Sequence, residues 1–314
     1  MASLNKNLAT WLEVKDSVIR LAKRFSGVTG VDYGYIYRNG KVLKSSGIRF
    51  HVDTKRPEEE LSPSQIFPKS LYGLRVDVVQ AIYSVESSPQ LESNPIQPGV
   101  SIGNYNRGTT GTLGLFVRDL HTGQPAILSN WHVLYGSRRA NSKDQIIQPG
   151  SLHLGDNPPR IIGRPIRRLP LSHGMDAAIA LLNPGINIDD NLFNMAIKIS
   201  GIGNVIQGAS IAKYGAMTRI THGIVDGHEG PFQIDYSAMG DELRSMNGIR
   251  IRLDSQFQEP VISREGDSGA VWFDSQGRAV ALHFGGELGT GPTGKYSLAH
   301  PIAEVFDLLE IGLL

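Results

Sequence analysis

REGDSGAVWF, residues 264–273, contains the tetrapeptide Gly266–Gly269 (GDSG), the most informative feature of the sequence. Glycines beside a serine allow a turn that exposes the hydroxyl and directs the backbone N–H groups of Gly266 and Ser268 to one point. Two such N–H groups stabilise an oxygen that becomes negative when a serine attacks a carbonyl. Chance produces GDSG in about one chain in a hundred of this length at ordinary residue frequencies. A plain surface turn is the alternative interpretation.

A serine nucleophile needs an imidazole base and a carboxylate that orients the imidazole. ILSNWHVL supplies His132, and GMDAAIALL supplies Asp176, 44 residues later and 92 residues before Ser268. A well-characterised triad has the same order, His, Asp, Ser, with separations of about 45 and about 93 residues. We therefore predict His132 as general base, Asp176 as orienting acid and Ser268 as nucleophile. His173, three residues before Asp176, is a weaker candidate base, and the other histidines are expected to be structural or on the surface.

On these motifs, residues 100–314 resemble a trypsin-like (chymotrypsin-fold) serine protease, over about two thirds of the chain. The resemblance implies a mostly β fold with two six-stranded antiparallel barrels and a serine endopeptidase that forms an acyl-enzyme on protein or peptide substrates. It also implies that Gly266 and Ser268 form the oxyanion hole. A weaker resemblance, to uncharacterised bacterial and plant narrow-leaf-type trypsin-like proteases, rests on the general residue pattern of ILSNWHV and ALHFGGE and not on a defined motif. The chain lacks cysteine, and nothing in it resembles the PDZ module of Deg/HtrA proteases.

The resemblance also identifies candidate substrate-binding residues. Ile262 stands where an aspartate would select Arg or Lys before the cut, so basic residues are disfavoured there. Ser263 and His283 resemble the pair that binds an acidic side chain in glutamyl endopeptidases, since a hydroxyl and an imidazole N–H can both donate to a carboxylate. A small or apolar pocket is the alternative. Phe284, Gly285 and Gly286 are expected to form an exposed strand edge to which a peptide adds antiparallel.

The N-terminal third has a different pattern. Apolar residues recur at helical spacing over the first 25 residues, and strands are predicted at Val31–Tyr37, Gly47–Val52 and Leu74–Ala81, the first two joined at Asn39-Gly40. We predict a small α+β module over residues 1–82, a Ser- and Pro-rich linker over 83–99 and the protease domain over 100–314. The helix is expected to pack on the small sheet, and the module is a candidate docking surface for a partner.

Composition narrows the remaining possibilities. With Lys+Arg 31 and Asp+Glu 30, the chain offers no reason to expect nucleic acid as a partner. The sequence has no apolar run long enough to predict a membrane span. The first 25 residues carry charges and do not resemble a secretory signal, so a cytoplasmic location is expected. No metal motif or cofactor motif is found, and none is expected to be needed. Two other functions stay open: a catalytically idle protease-like binding or scaffold protein, and a serine esterase, although GxSxG is absent.

Overall fold

The computed structural model describes residues 6–38, 41–84, 91–257, 259–288 and 294–314. The predicted turn at Asn39-Gly40 and part of the predicted linker, 85–90, lie outside the described residues. The strands are β1 (Val28–Arg38), β2 (Lys41–Val52), β3 (Ser70–Leu71), β4 (Leu74–Gln80), β5 (Ile82–Ser84), β6 (Ser101–Asn104), β7 (Gly111–Thr112), β8 (Leu115–Asp119), β9 (Pro125–Ser129), β10 (Ile146–Ile147), β11 (Ile161–Arg168), β12 (Ala178–Leu182), β13 (Gly201–Ile202), β14 (Ser210–Gly215), β15 (Arg219–Asp235), β16 (Leu243–Leu253), β17 (Val271–Phe273), β18 (Arg278–Leu288), β19 (Tyr296–Pro301) and β20 (Ile311–Leu313). The α-helices are α1 (Lys6–Ala22), α2 (Trp131–Leu134) and α3 (Ile302–Leu309).

Two antiparallel units form the larger part of the molecule. In the first, strands run in the order β20-β8-β9-β12-β11-β10-β6-β7. In the second, β14-β17-β18-β19-β16-β15 closes into a ring because β14 also pairs with β15. Ring closure leaves no free edge at β14 or β15 within that barrel. This mostly β architecture confirms the predicted fold class.

The N-terminal strands continue the sheet of the second barrel. β1 pairs antiparallel with β15 and with β2, and β2 pairs parallel with β4. At the contact with β15, Gly230 is required, because a Cβ there would lie 1.6 Å from the Val31 carbonyl oxygen. The predicted module and the second barrel therefore share one twelve-stranded sheet.

Helix α1 covers this sheet extension, as its apolar periodicity predicted. Its buried residues Trp11, Val18 and Ala22 pack in one cluster with residues of β1, β2 and β4. The Trp11 and Tyr33 rings stack with their centroids 6.2 Å apart. The helix thus has its hydrophobic partner inside the chain. Within the described ranges, no helix combines the length and apolar character that crossing a membrane requires.

The described part of the predicted linker packs on the first barrel. Ile96 is fully buried, donates its N–H to the Asn187 carbonyl and forms a bridge with Ile188. The Gly99 N–H donates to the Leu113 carbonyl. These contacts are more extensive than the polar composition suggested, and the domain boundaries themselves stay a prediction.

Candidate active site

His132 and Asp176 form a buried pair in the first barrel. His132 lies in the short helix α2, and Asp176 precedes β12. The His132 Nδ1 atom lies 2.5 Å from Asp176 Oδ2, and the His132 backbone N–H donates to Asp176 Oδ1 at 3.1 Å. Because the carboxylate accepts the Nδ1 proton, the lone pair of the neutral ring stays on Nε2, the nitrogen that a general base requires. Among the described residues, this buried Nε2 atom has no hydrogen-bond partner.

Three further side chains hold Asp176 in place. The Tyr236 hydroxyl donates to Asp176 Oδ2 at 2.6 Å, and the Asn130 side-chain amide donates to the Asp176 carbonyl at 2.6 Å. The Asp176 backbone N–H donates to His300 Nε2 at 3.0 Å. Burial opposes ionisation of Asp176, but the His132 imidazole and the hydrogen bonds from His132 and Tyr236 hold its pKa below the usual value. The carboxylate is therefore ionised and able to stabilise a protonated imidazole.

Ser268 lies in the turn between its two glycines. Gly266 has φ +100° and Gly269 has φ +93°, values that residues with a Cβ rarely adopt. A Cβ on Gly269 would also lie 2.1 Å from Ser129 Oγ. The Thr112 hydroxyl donates to the Gly266 carbonyl at 2.5 Å, and its N–H donates to the Ser268 carbonyl at 2.7 Å. The turn is thus fixed against the first barrel.

Asp267 anchors the same turn to the second barrel. Its Oδ2 atom accepts hydrogen bonds from Lys213 Nζ at 2.8 Å and Thr218 Oγ1 at 2.6 Å, and its Oδ1 atom accepts from the Met217 N–H. Burial raises the pKa of the Asp267 carboxyl, but the Lys213 ammonium group more than offsets this, so the pKa lies below its usual value. A cation from within the chain therefore already neutralises Asp267, with both Lys213 and Asp267 fully buried.

The three predicted catalytic residues lie where the barrels meet. A Cβ placed on Gly111 of β7 would contact Val133, the neighbour of His132, at 2.3 Å and the Ser268 carbonyl at 2.9 Å. His132 is 3% exposed, and Asp176 and Ser268 are fully buried. The structure therefore brings helix α2 and the serine turn to one strand. In the described part of the chain, no group of three or more His, Asp or Glu side chains is arranged to hold a metal ion.

The predicted substrate-binding residues lie in the second barrel. Ile262 is fully buried and belongs to the apolar core of this barrel. His283 pairs with the serine turn, because its carbonyl accepts from the Gly269 N–H and its N–H donates to the Ala270 carbonyl. Ser263 is also buried, and its role and that of His283 in a specificity pocket stay predictions.

The expectation of an exposed strand edge at Phe284, Gly285 and Gly286 was wrong in its exposure and at Gly286, whereas Phe284 and Gly285 have no strand partner beside the serine turn among the described residues. All three residues are buried, and Gly286 pairs with Ser84 of β5. The Ser- and Pro-rich composition of the predicted linker, residues 83–99, does not indicate a strand at its start. The physical cause is the neighbouring Tyr83, which is 2% exposed and fixes β5 in the sheet.

Sequence analysis missed four residues that contact the candidate site: Thr112, Lys213, Tyr236 and His300. Lys213 and His300 each interrupt an apolar strand, IAKYG and YSLAHP, and a polar residue at such a position signals a buried interaction. Burial lowers the pKa of His300 to about 4, so the ring is neutral when it accepts from Asp176. Tyr236 and Thr112 carry no comparable signal, because neither is a charged or imidazole side chain within an apolar strand.

No protein-family model and no curated protein sequence matches the chain. Among solved structures, a glutamic acid-specific serine protease, described as utilising a novel histidine triad in substrate binding, matches with a TM-score of 0.50 and 20% identity, covering 70% of this chain and 100% of its own. Nocardiopsis protease matches with a TM-score of 0.49 and 17% identity over 69% of this chain and 99% of its own. Cellulomonas bogoriensis chymotrypsin matches with a TM-score of 0.48 and 15% identity over 70% and 99%. The first of these likenesses, with a TM-score of 0.50, shows that the chain has the predicted chymotrypsin-like fold.

Proposed function

We propose that this protein is a serine endopeptidase that hydrolyses peptide bonds of protein substrates through Ser268, His132 and Asp176. The observation that carries the proposal is the buried His132–Asp176 pair, whose Nε2 atom has no described partner, beside a turn that holds a serine between two glycines of positive φ. Such a pair holds the imidazole in the tautomer that a general base requires.

The proposed reaction gives each group one role. Ser268 Oγ attacks the carbonyl carbon while His132 Nε2 accepts its proton, and Asp176 stabilises the resulting imidazolium. The N–H groups of Gly266 and Ser268 donate to the oxyanion. The imidazolium then protonates the leaving amine, which departs and leaves an acyl-enzyme. Water, deprotonated by His132, attacks the ester carbon, and the imidazolium returns this proton to Ser268 Oγ as the C–O bond breaks and the acid is released.

A catalytically idle binding protein is the alternative. Several polar groups converge on the candidate site, however: Thr112 fixes Gly266, Lys213 neutralises Asp267, and Tyr236 bonds Asp176. A buried ion pair such as Lys213–Asp267 is often no more stabilising than apolar side chains of the same volume, and a binding surface elsewhere on the fold gains nothing from keeping it. The arrangement therefore favours an active enzyme over an idle scaffold.

We include a preference for an acidic residue before the cut in the proposal, with Lys and Arg disfavoured. It is supported by the apolar Ile262 and by the position of His283 beside Gly269 and Ala270. In peptides that differ only at this residue, we expect His283→Ala to reduce cleavage after Glu far more than cleavage after Leu. Rapid cleavage after Arg, or equal loss on both peptides, would refute the preference and leave the catalytic assignment intact.

Hydrolysis of a denatured protein by wild type and Ser268→Ala tests the main proposal. We expect Ser268→Ala to lose activity by about a million-fold, because a nucleophile and its base act as one unit. The matched control is Ser101→Ala, since Ser101 is another buried serine next to a histidine, with its Oγ 2.7 Å from His153 Nδ1. The control should stay active. A folded wild type without activity, or equal activity in Ser268→Ala, would contradict the proposal.

A further inference from the structure

Strand β18 is paired along both of its edges, except next to the serine turn. On one edge, β19 pairs from Ala281 to Gly286. On the other edge, β17 pairs with residues 279–282, and the serine turn bonds His283 through Gly269 and Ala270. Because β19 already holds Gly286 through Ser297, the pairing of Gly286 with Ser84 must lie on this second edge.

Between the serine turn and β5, the second edge has two residues left. Phe284 and Gly285 have no strand partner on that edge among the described residues, whereas Gly286, Glu287 and Leu288 pair with Ser84, Tyr83 and Ile82. β5 runs antiparallel to β18, the direction that a peptide substrate would take on this edge. With the residue before the cut opposite Phe284, the first position after the serine turn, the third substrate residue falls opposite Gly286, where β5 already pairs.

β5 is a fixed part of the sheet. It also pairs parallel with β15, through Tyr83 and Ile234. The Tyr83 hydroxyl lies 2.7 Å from His51 Nδ1, and its ring packs edge-on against Phe232 with centroids 5.1 Å apart. Displacing β5 would expose this aromatic ring and break both pairings, so a substrate does not readily replace it.

We propose that β5 fills the third and later positions of the substrate edge, so that the enzyme reads only the two residues immediately before the cut through backbone pairing. The inference rests on the proposed protease function and assigns the N-terminal sheet a role in the substrate cleft. On this side of the cut, β5 then occupies the positions that further substrate residues would otherwise take.

The test is a series of acetylated peptides of one to four residues that share the residue before a chromogenic amide. We expect kcat/KM to rise by about tenfold from one residue to two and to stay within about threefold for three and four, because each new backbone hydrogen bond is worth roughly a factor of ten at most. A rise of about tenfold or more at the third residue would overturn the inference. The inference would also be overturned if the protein labels with a fluorophosphonate but cleaves none of the peptides.

A matched pair of variants sharpens the test. Tyr83→Gly removes the ring that fixes β5, and we expect a new gain in kcat/KM at the third residue. Tyr83→Phe keeps the ring and should keep the flat length profile of the wild type. If Tyr83→Gly does not fold, the wild-type series decides alone. Absence of fluorophosphonate labelling in the folded wild type would refute the protease function itself, a different outcome from a length-dependent rate.

Discussion

Two buried His–Asp pairs in this molecule have the same residue types and different capabilities. In the first barrel, Asp176 bonds His132 Nδ1 and the Tyr236 hydroxyl. In the N-terminal sheet, Asp32 lies 3.1 Å from His51 Nε2, and the other nitrogen of His51 bonds the Tyr83 hydroxyl. Both clusters therefore combine a carboxylate, an imidazole and a phenol away from water.

The difference lies in the remaining bonds. Both nitrogens of His51 are occupied, and Asp32 also binds the guanidinium of Arg49, which in turn bonds Asp226 at 2.5 Å. Burial, only partly offset by Asp32, lowers the pKa of His51 to about 4. His132 keeps one nitrogen without a described partner, and no arginine bonds Asp176 in the described residues. A base needs an available lone pair, so the first pair is suited to catalysis and the second to holding β1, β2 and β15 together.

The largest expected contrast comes from replacing each histidine. His132→Ala should reduce kcat by about a million-fold, because Ser268 loses its base, in protein that still folds. His51→Ala should lower the melting temperature and leave Tyr83 without its partner, while the folded fraction still labels with a fluorophosphonate. Hydrolysis rates and thermal unfolding measured on both variants check this. Loss of activity in His51→Ala with full stability would reverse the two assignments.

The carboxylates give the next contrast. Asp176→Asn should reduce kcat by about ten-thousand-fold, because the amide favours the wrong tautomer of His132. Asp32→Asn should instead destabilise the fold by about 3 kcal/mol or more, since Arg49 and Arg250 then face Asp226 alone. Chemical denaturation and steady-state rates separate the two effects. Near-normal activity in Asp176→Asn would mean that another carboxylate orients His132.

Acid should weaken the fold through its neutral, buried histidines. The folded-state pKa values of His51 and His300 are about 4, below the usual 6.5, so between these values the unfolded chain binds protons that the folded chain does not. The free energy of unfolding therefore falls as pH falls from 6.5 to 4, by at most about 1.4 kcal/mol per pH unit for each histidine. Urea unfolding from pH 7 to 4.5 measures the slope. His51→Gln should reduce this slope by the contribution of the one proton that His51 binds on unfolding. An unchanged slope would contradict the burial of the His51 ring.

Tyr236 should produce the smallest effect. Tyr236→Phe removes one hydrogen bond to Asp176 and should lower kcat by about tenfold with KM nearly unchanged. Steady-state kinetics and thermal unfolding of Tyr236→Phe check this expectation. The control is Tyr33→Phe, a buried tyrosine that stacks on Trp11. Equal kcat values for both variants would mean that Tyr236 has only a structural role.

The sequence predicted His132, Asp176 and Ser268 because each lies in a short motif and their order and spacing match a known arrangement. The helix α1 and the strands β1, β2 and β4 were also predictable, since local periodicity reflects which side faces a core. These features depend on neighbours in the sequence or on a resemblance that covers the protease domain.

The remaining features depend on pairings between distant segments. Asp176 and Tyr236 are 60 residues apart, and Arg49 and Asp226 are 177 apart, so no local pattern indicates either contact. β5 is three residues long and starts a stretch of polar composition, yet its register places it against Gly286. Sheet register is set by partners on both sides, and composition alone does not contain it.

The central claim is that Ser268 is the activated nucleophile, and covalent labelling tests it most directly. Purified wild-type protein is treated with a fluorophosphonate probe, digested and mapped by mass spectrometry, with Ser268→Ala and His132→Ala alongside. We predict a single adduct on Ser268, none on Ser268→Ala and strongly slowed labelling of His132→Ala. An unlabelled but folded wild type, or an adduct on another residue that persists in Ser268→Ala, would contradict the assignment.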